Sequence, residues 1–162
     1  MHYPSYVEEE PLSSGRLAIA EQAPQSLRGR SERSGGVKIL SKVLVVDDEP
    51  DILFLLRKRL ECSGYEVIVA PDGVSATRLA IQHNPDVIIL DIGMPCGDGH
   101  TVAGRIRANV NTAVTPIIFL TARTSMQDKN RACQAGAFAY VTKPFVAEEL
   151  VGLVDQALSH WE

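Results

Sequence analysis

Four short apolar runs in this chain each end on a side chain that can do chemistry. Val43-Leu44-Val45-Val46 runs into Asp47-Asp48, and Val87-Ile88-Ile89-Leu90 into Asp91. Ile117-Ile118-Phe119-Leu120 runs into Thr121, and Ala139-Tyr140-Val141-Thr142 into Lys143. Brought together, three carboxylates, a hydroxyl and an ammonium have a narrow repertoire. Clustered carboxylates repel one another and need a cation to share a site. Oxygen-only ligands with an open position suit Mg²⁺, a hard ion that keeps waters and accepts phosphate oxygens. A carboxylate beside Mg²⁺ and a lysine can attack a phosphoryl group and form an acyl phosphate, because both cations neutralise the developing charge. A threonine hydroxyl can donate a hydrogen bond to one phosphoryl oxygen. Asp91 is the reactive candidate. Its run, with three β-branched residues in four, reads as a strand buried on both faces, and Gly93 and Pro95 follow at once.

Each of these residues alone has an ordinary explanation. An Asp after a strand is commonly a helix cap, a strand-end Thr reflects β-propensity, and a lone Lys is a solvated charge. The joint arrangement, all at the same end of successive strands, is what points to a site.

The elements that must position these groups are regular from Val37 onward. After Asp47-Asp48-Glu49, Pro50 suits a helix start, and Ile52, Leu53, Leu56 and Leu60 follow at helical spacing until Ser63-Gly64. Glu66-Val67-Ile68-Val69-Ala70 is a second strand, and Pro71-Asp72-Gly73 turns the chain. A helix over about 74–83 carries Ala76, Leu79 and Ala80 on its inner face and leads through Asn84-Pro85-Asp86 into the Asp91 strand. Further helices are predicted at about 100–109, 125–135 and 147–160, the last turning Leu150, Val151, Val154 and Leu158 inward. Five strands alternating with five helices make an α/β fold, a doubly wound five-stranded parallel sheet whose strand ends form one crevice. The pattern alone does not give the strand order.

The chain has 162 residues, 45% of them apolar and 22% charged, enough for one domain with a proper core. Its net charge of −4 argues against a nucleic-acid surface, which needs a basic excess. No run approaches a membrane span and no basic-then-apolar leader opens the chain. Cys62, Cys96 and Cys133 fit no metal or disulfide spacing and read as reduced thiols of a cytoplasmic protein, with Cys96 notable for lying just after the Asp91 strand. Residues 1–40 differ from the rest: three prolines, several serines, and five acids against five bases. They are expected to be a mostly disordered extension to a domain at 41–162. The alternative is a docking peptide that folds around Leu17 and Ile19 on a partner.

Val45-Val46-Asp47-Asp48-Glu49, Ile89-Leu90-Asp91-Ile92-Gly93-Met94-Pro95, Phe119-Leu120-Thr121-Ala122 and Val141-Thr142-Lys143-Pro144-Phe145 resemble, in order, the four signatures of the response-regulator receiver domain (CheY-like). The resemblance covers about residues 41–162. It implies that Asp91 is the phospho-acceptor, loaded from a phosphohistidine on a sensor histidine kinase or a histidine phosphotransfer protein. It implies that Asp47, Asp48, Asp91 and the backbone carbonyl of Gly93 hold Mg²⁺, and that Lys143 pairs with the phosphoryl oxygens. Thr121 and Tyr140 match the family's switch pair, hydroxyl and ring moving together. The Lys143–Pro144 bond is expected to be cis, and the sheet order flavodoxin-like, 2-1-3-4-5. A downstream target would read the surface of the fourth helix, fifth strand and fifth helix. Such a protein is a phospho-acceptor in a phosphorelay rather than an enzyme acting on a separate substrate, and no direct nucleic-acid or membrane contact is expected.

Several positions depart from subfamilies of that domain. Phe138-Ala139 stands where winged-helix transcription factors of this family have two acids, and after Glu148-Glu149 the last helix has no Lys or Arg. The salt-bridged dimer of that subfamily is therefore not expected, leaving a monomer or weak dimer. Phe138 reads either as loop packing or as an apolar partner contact. Phe54 and Leu55 read either as a broad core face or, with Phe145-Val146, as the face that docks the phosphodonor. Gly93 would open the acceptor to water and Arg123 would shield it, so the two oppose each other on phosphoryl lifetime. The chain stops at Trp161-Glu162, which reads as a stand-alone regulator, although a truncated chain would look the same there.

Other classes fit less well. A receiver-like module that is never phosphorylated need not keep Asp47, Asp48, Asp91, Thr121 and Lys143 together. An Asp-nucleophile hydrolase needs a second acid two residues on, where this chain has Gly93. Flavin or dinucleotide binding lacks a Gly-rich loop after the first strand.

Overall fold

The computed structural model describes residues 17–18, 39–95, 98–122 and 125–160. In chain order the elements are β1 (Leu17–Ala18), β2 (Lys42–Val46), α1 (Pro50–Cys62), β3 (Glu66–Ala70), α2 (Gly73–His83) and β4 (Val87–Asp91). They continue with α3 (Gly99–Ala108), β5 (Ile117–Thr121), α4 (Met126–Gln134), β6 (Ala139–Thr142) and α5 (Ala147–Ser159). From Lys42 on, strands and helices alternate as the periodicity predicts.

Successive strand residues point to opposite faces, and that alternation divides the core in two. Leu44, Val46, Ile88, Leu90, Ile117 and Phe119 pack with Ala76 and Ala80 of α2, Val102, Ala103 and Ile106 of α3, and Ala132 of α4. Their neighbours Val43, Val45, Val87, Ile89, Ile118 and Leu120 pack on the other side with Leu56 and Leu60 of α1 and Leu150, Leu153, Val154 and Ala157 of α5. Every residue of β4 and β5 is buried, the signature of parallel strands covered on both faces.

The five parallel strands stand in the order β3-β2-β4-β5-β6, which is 2-1-3-4-5 in sequence order. β1 adds what the sequence reading did not anticipate: a sixth, antiparallel edge strand pairing Leu17 with Tyr140 and Ala18 with Ala139. The backbones of these two residues are paired, within the stretch expected to be a mostly disordered extension. Two residues are too short to carry a strand period, so no pattern announces them. Residues 1–16 and 19–38, with Ile19 of the docking-peptide alternative, lie outside the described residues.

Local chemistry fixes the helix ends. Pro50 opens α1. Asp72 accepts the Ser75 N–H at 2.7 Å, so α2 begins at Gly73, one residue before the predicted start. Asp98 accepts the His100 N–H at 3.2 Å ahead of α3, and Ser125 accepts the Asp128 N–H at 3.1 Å ahead of α4. Such caps satisfy amides that have no partner within the helix. Gly64 and Gly136 leave α1 and α4 at φ of 90° and 71°, where a side chain would be strained. Arg107 is a tie the sequence did not suggest: from α3 it donates to the carbonyls of Ala113 (3.0 Å), Thr115 and Gly136 (3.2 Å). Tyr65, after α1, donates its hydroxyl proton to Asp155 of α5.

Candidate functional site

The C-terminal ends of β2, β4, β5 and β6 lie at one edge of the sheet, and the register brings their side chains together. Asp47, fully buried, follows β2, while Asp48 and Glu49 are exposed. Asp91 ends β4 and is 4% exposed. Lys143, just beyond β6, joins them: its Nζ donates to Asp47 Oδ2 at 2.8 Å, Glu49 Oε1 at 3.0 Å and Asp91 Oδ2 at 3.3 Å. The Lys143 backbone N–H donates to the Thr121 carbonyl at 2.7 Å, and the Lys143–Pro144 peptide is cis. The remaining oxygens of the two buried carboxylates are also held. Asp47 Oδ1 accepts the Glu49 N–H at 2.9 Å, and Asp91 Oδ1 accepts the Gly93 N–H at 2.8 Å.

Thr121 is buried at the end of β5, one residue beyond Leu120, the register partner of Asp91. Tyr140 is buried in the core on the α2–α3–α4 side. Gly93 borders the acceptor candidate directly: a Cβ built there would lie 3.4 Å from Asp91 Oδ1. Gly99 explains how α3 comes so close, since a Cβ there would meet Asp91 O at 2.7 Å and Ile92 Cα at 2.5 Å.

The electrostatics follow from burial and from the lysine. Desolvation pushes the Asp47 carboxyl above its ordinary range; the bonds from Lys143 and the Glu49 N–H pull it back, and the Asp91 charge adds to the rise. Burial works against the charge of Lys143, but its bonds to Asp47 and Glu49 and the nearby Asp91 and Asp47 charges outweigh that and raise its pKa. The ammonium is held protonated. Four carboxylates (Asp47, Asp48, Glu49, Asp91) against one ammonium leave a local excess of negative charge.

That excess suits a second, small cation. Carboxylate oxygens of Asp47, Asp48 and Glu49 lie within 4.8 Å of one another, near enough for one hard ion to be shared among oxygen ligands. Glu49 is the site residue that the sequence reading passed over. Its signal was present in the run Asp47-Asp48-Glu49, but an acid opening a helix reads first as a partner for the helix dipole. Asp91 is not in that cluster and is joined to Asp47 through Lys143.

Other expectations resolve around the site. Phe54 and Leu55 are 64% and 50% exposed, and Val146 is exposed as well, so the broad-core reading of the α1 residues is overturned. Phe138 packs against the α1–α5 core and stacks edge-on with His160 at 6.4 Å, in keeping with loop packing. Cys62 and Cys133 are free thiols. Cys96, Arg123, Trp161 and Glu162 lie outside the described residues. Among the described residues no helix is long and apolar enough to cross a membrane.

Comparison with known proteins agrees with this geometry. Residues 43–155 match the family described as the response regulator receiver domain. The transcriptional regulatory protein KdpE of Mycobacterium tuberculosis is 45% identical over 119 residues, which is 74% of this chain and 51% of that protein. The DNA-binding dual master transcriptional regulator RpaA of Synechocystis is 42% identical over 71% of this chain and 48% of its own length. The chain thus spans about half the length of the curated relatives it matches. Among solved structures, chemotaxis protein CheY4 of Vibrio cholerae superposes with a TM-score of 0.71 at 35% identity, over 74% of this chain and all of that one. The receiver domain of sensor histidine kinase PA1611 from Pseudomonas aeruginosa, solved with a magnesium ion in its active-site cleft, gives a TM-score of 0.69 at 32% identity over 75% of this chain and 99% of its own. With its sheet order, its acidic strand ends and these relatives in agreement, the chain belongs to the response regulator receiver family of two-component signalling.

Proposed function

We infer that this receiver domain works in a phosphorelay, taking a phosphoryl group from a phosphohistidine onto Asp91. The observation that carries the reading is Lys143 bridging Asp47 and Asp91 at the strand ends. An Asp91 carboxylate oxygen attacks phosphorus, the P–N bond of the phosphohistidine breaks, and the imidazole leaves with the electron pair and takes up a proton. The product is an acyl phosphate. Bound Mg²⁺ would be held by Asp47, Asp48, Asp91 and the Gly93 carbonyl, and would neutralise charge on the transferring group. The chain's own residues do the rest. The Gly93 N–H keeps one Asp91 oxygen oriented, and the small Gly93 leaves the approach to it open. Lys143, already protonated, exchanges Glu49 and Asp47 for a phosphoryl oxygen.

Phosphorylation adds roughly −1.5 to −2 charge at this spot. In this reading the Thr121 hydroxyl donates to a phosphoryl oxygen, and Tyr140 repacks with it. The modification thus biases a two-state equilibrium, read by a target protein at the surface of α4, β6 and α5. The exposed Phe54, Leu55 and Val146 are a fitting surface for the phosphodonor in the cytoplasm. The net charge of −4 fits protein rather than nucleic-acid contacts for this chain.

Intact-protein mass after incubation with Mg²⁺ and a small-molecule phosphodonor tests the reading. One phosphoryl adduct on the wild type, absent in Asp91→Asn and absent with chelator, is expected. A well-folded wild type that gains no adduct refutes it and turns attention to a module that binds partners unmodified.

A further inference from the structure

The parallel sheet would end at β6 were it not for β1. Phe138 donates its N–H to Ile117 of β5 at 2.8 Å, and alternation along the strand turns the Ala139 N–H to the opposite side. There it faces Ala18, its register partner. A bare edge strand offers unpaired N–H and C=O groups to any passing strand, and proteins blunt such edges with charges, proline or a cover. Residues 139–142 contain no charged residue and no proline. The other edge, β3, starts on Glu66 and is followed by Pro71. Both edges thus meet a proline just beyond their last residues, Pro71 after β3 and Pro144 after β6, but β6 alone of the two has no charge within the strand, and it is the edge the chain covers.

We propose that the segment around Leu17–Ala18 is an in-chain guard of the β6 edge, occupying the place where an extended apolar strand of a partner would add to the sheet. Apolar residues in the first 40 are few, and Leu17-Ala18-Ile19-Ala20 is their longest patch. The reach is ample. About four strand spacings, roughly 19 Å, separate β1 from β2 across the sheet. The intervening residues 19–41 extend to roughly 75 Å. A ladder of two residues is weak by itself, but tethering in one chain raises its effective concentration into the millimolar range. An untethered strand of micromolar affinity or weaker then competes poorly until the guard lets go. The guard also sits on the backbone of Tyr140. A link from phosphorylation to guard release rests on the function proposed above; occupancy of the edge does not.

The test therefore uses unphosphorylated protein, so that failure here is separable from failure of phosphoryl transfer. Amide hydrogen exchange is compared among the full chain, full-chain Ala18→Pro, which removes the N–H facing Ala139, and a chain lacking residues 1–36. Among the described residues both cores lie between Val43 and Leu158, beyond the truncation. The Ala139 amide is expected to exchange at least roughly tenfold faster in both variants, while Phe138 and Tyr140, which face β5, keep their rates and report an intact sheet. A peptide of residues 13–22 added in trans is expected to slow Ala139 exchange in the truncated chain and not in the full chain. Unchanged Ala139 exchange in both variants overturns the proposal. So does protection that rises with protein concentration, which would place the strand on a second copy, and so does equal peptide binding to the full chain.

Discussion

Replacing Gly99 with Ala sets two effects of opposite sign against each other, and the structure decides which wins. Alanine is favoured over glycine inside a helix by about 1 kcal/mol, and by less in the first turn, where Gly99 opens α3. Against that gain stands contact. The new Cβ would lie 2.5 Å from Ile92 Cα and 2.7 Å from both Asp91 O and Ile92 Cγ2. Two of those three atoms are backbone, so no rotamer change relieves the clash, and either α3 or the strand end must move. Forced overpacking of this kind costs about 1–3 kcal/mol. Gly99→Ala should thus be destabilised by about 1–2 kcal/mol net, a fall in Tm of roughly 3–10 °C for a domain of this size. Gly104→Ala supplies the control in the same helix, because a Cβ there meets nothing within 4 Å. It should gain up to about 1 kcal/mol. Thermal unfolding followed by circular dichroism reads both. Phosphoryl uptake by intact mass reads the consequence at Asp91, whose backbone carbonyl is one of the atoms displaced; a slowing of roughly tenfold or more is expected for Gly99→Ala alone. A Gly99→Ala protein as stable as Gly104→Ala, with unchanged uptake, would refute the packing argument.

Further perturbations follow from the same contacts. Lys143→Ala leaves Asp47, Glu49 and Asp91 without their shared cation; a loss of about 1–3 kcal/mol in chelator is expected, partly restored by added Mg²⁺, and denaturant titration with and without the ion reads both. Arg107→Ala orphans three carbonyls held by one guanidinium, and should lower stability by about 2–4 kcal/mol without changing the amount of phosphoryl finally taken up. Tyr65→Phe removes the hydroxyl bound to Asp155 and should cost about 0.5–1.5 kcal/mol, near the lower end because the pair faces solvent. Burial first, and then Asp155, raise the Tyr65 pKa. A proton held more tightly in the folded state stabilises fully below the unfolded value of about 10 and is lost as pH rises beyond it. The wild-type advantage over Tyr65→Phe should therefore be flat from pH 6 to 9 and fall above pH 10. A fall that begins near neutrality would contradict this assignment.

The parts of the molecule that repeat a pattern were legible in the sequence. β4 is five buried residues in a row, and a run such as Val87-Ile88-Ile89-Leu90 has few other fates than a strand between two helical layers. Asp47, Asp91 and Lys143 were legible because each ends such a strand, and the fold brings equivalent strand ends together. Glu49 was not, since its role depends on where the Lys143 side chain turns, a three-dimensional fact with no local signature. Leu153 and Ala157 were passed over although α5 buries both with Leu150 and Val154, while Val151 and Leu158, read as inward, are only partly buried. β1 left no trace because two residues hold no period, and their pairing partner, β6, is far away in the chain. The cap at Asp72 was present as a turn residue, but which amide it would accept depended on the exact first turn.

The division of adjacent strand residues between two separate cores has a consequence for how such a domain can change over generations. Ile88 and Ile89 are neighbours in the chain yet belong to different packing neighbourhoods, one answering to α2, α3 and α4, the other to α1 and α5. A substitution at either is compensated within its own layer. The side that bears the exposed Phe54 and Leu55 of α1 can thus be repacked while the layer beneath α4 keeps its shape. The packing beneath one face and the packing beneath the other can thus vary separately, with the sheet as the partition between them.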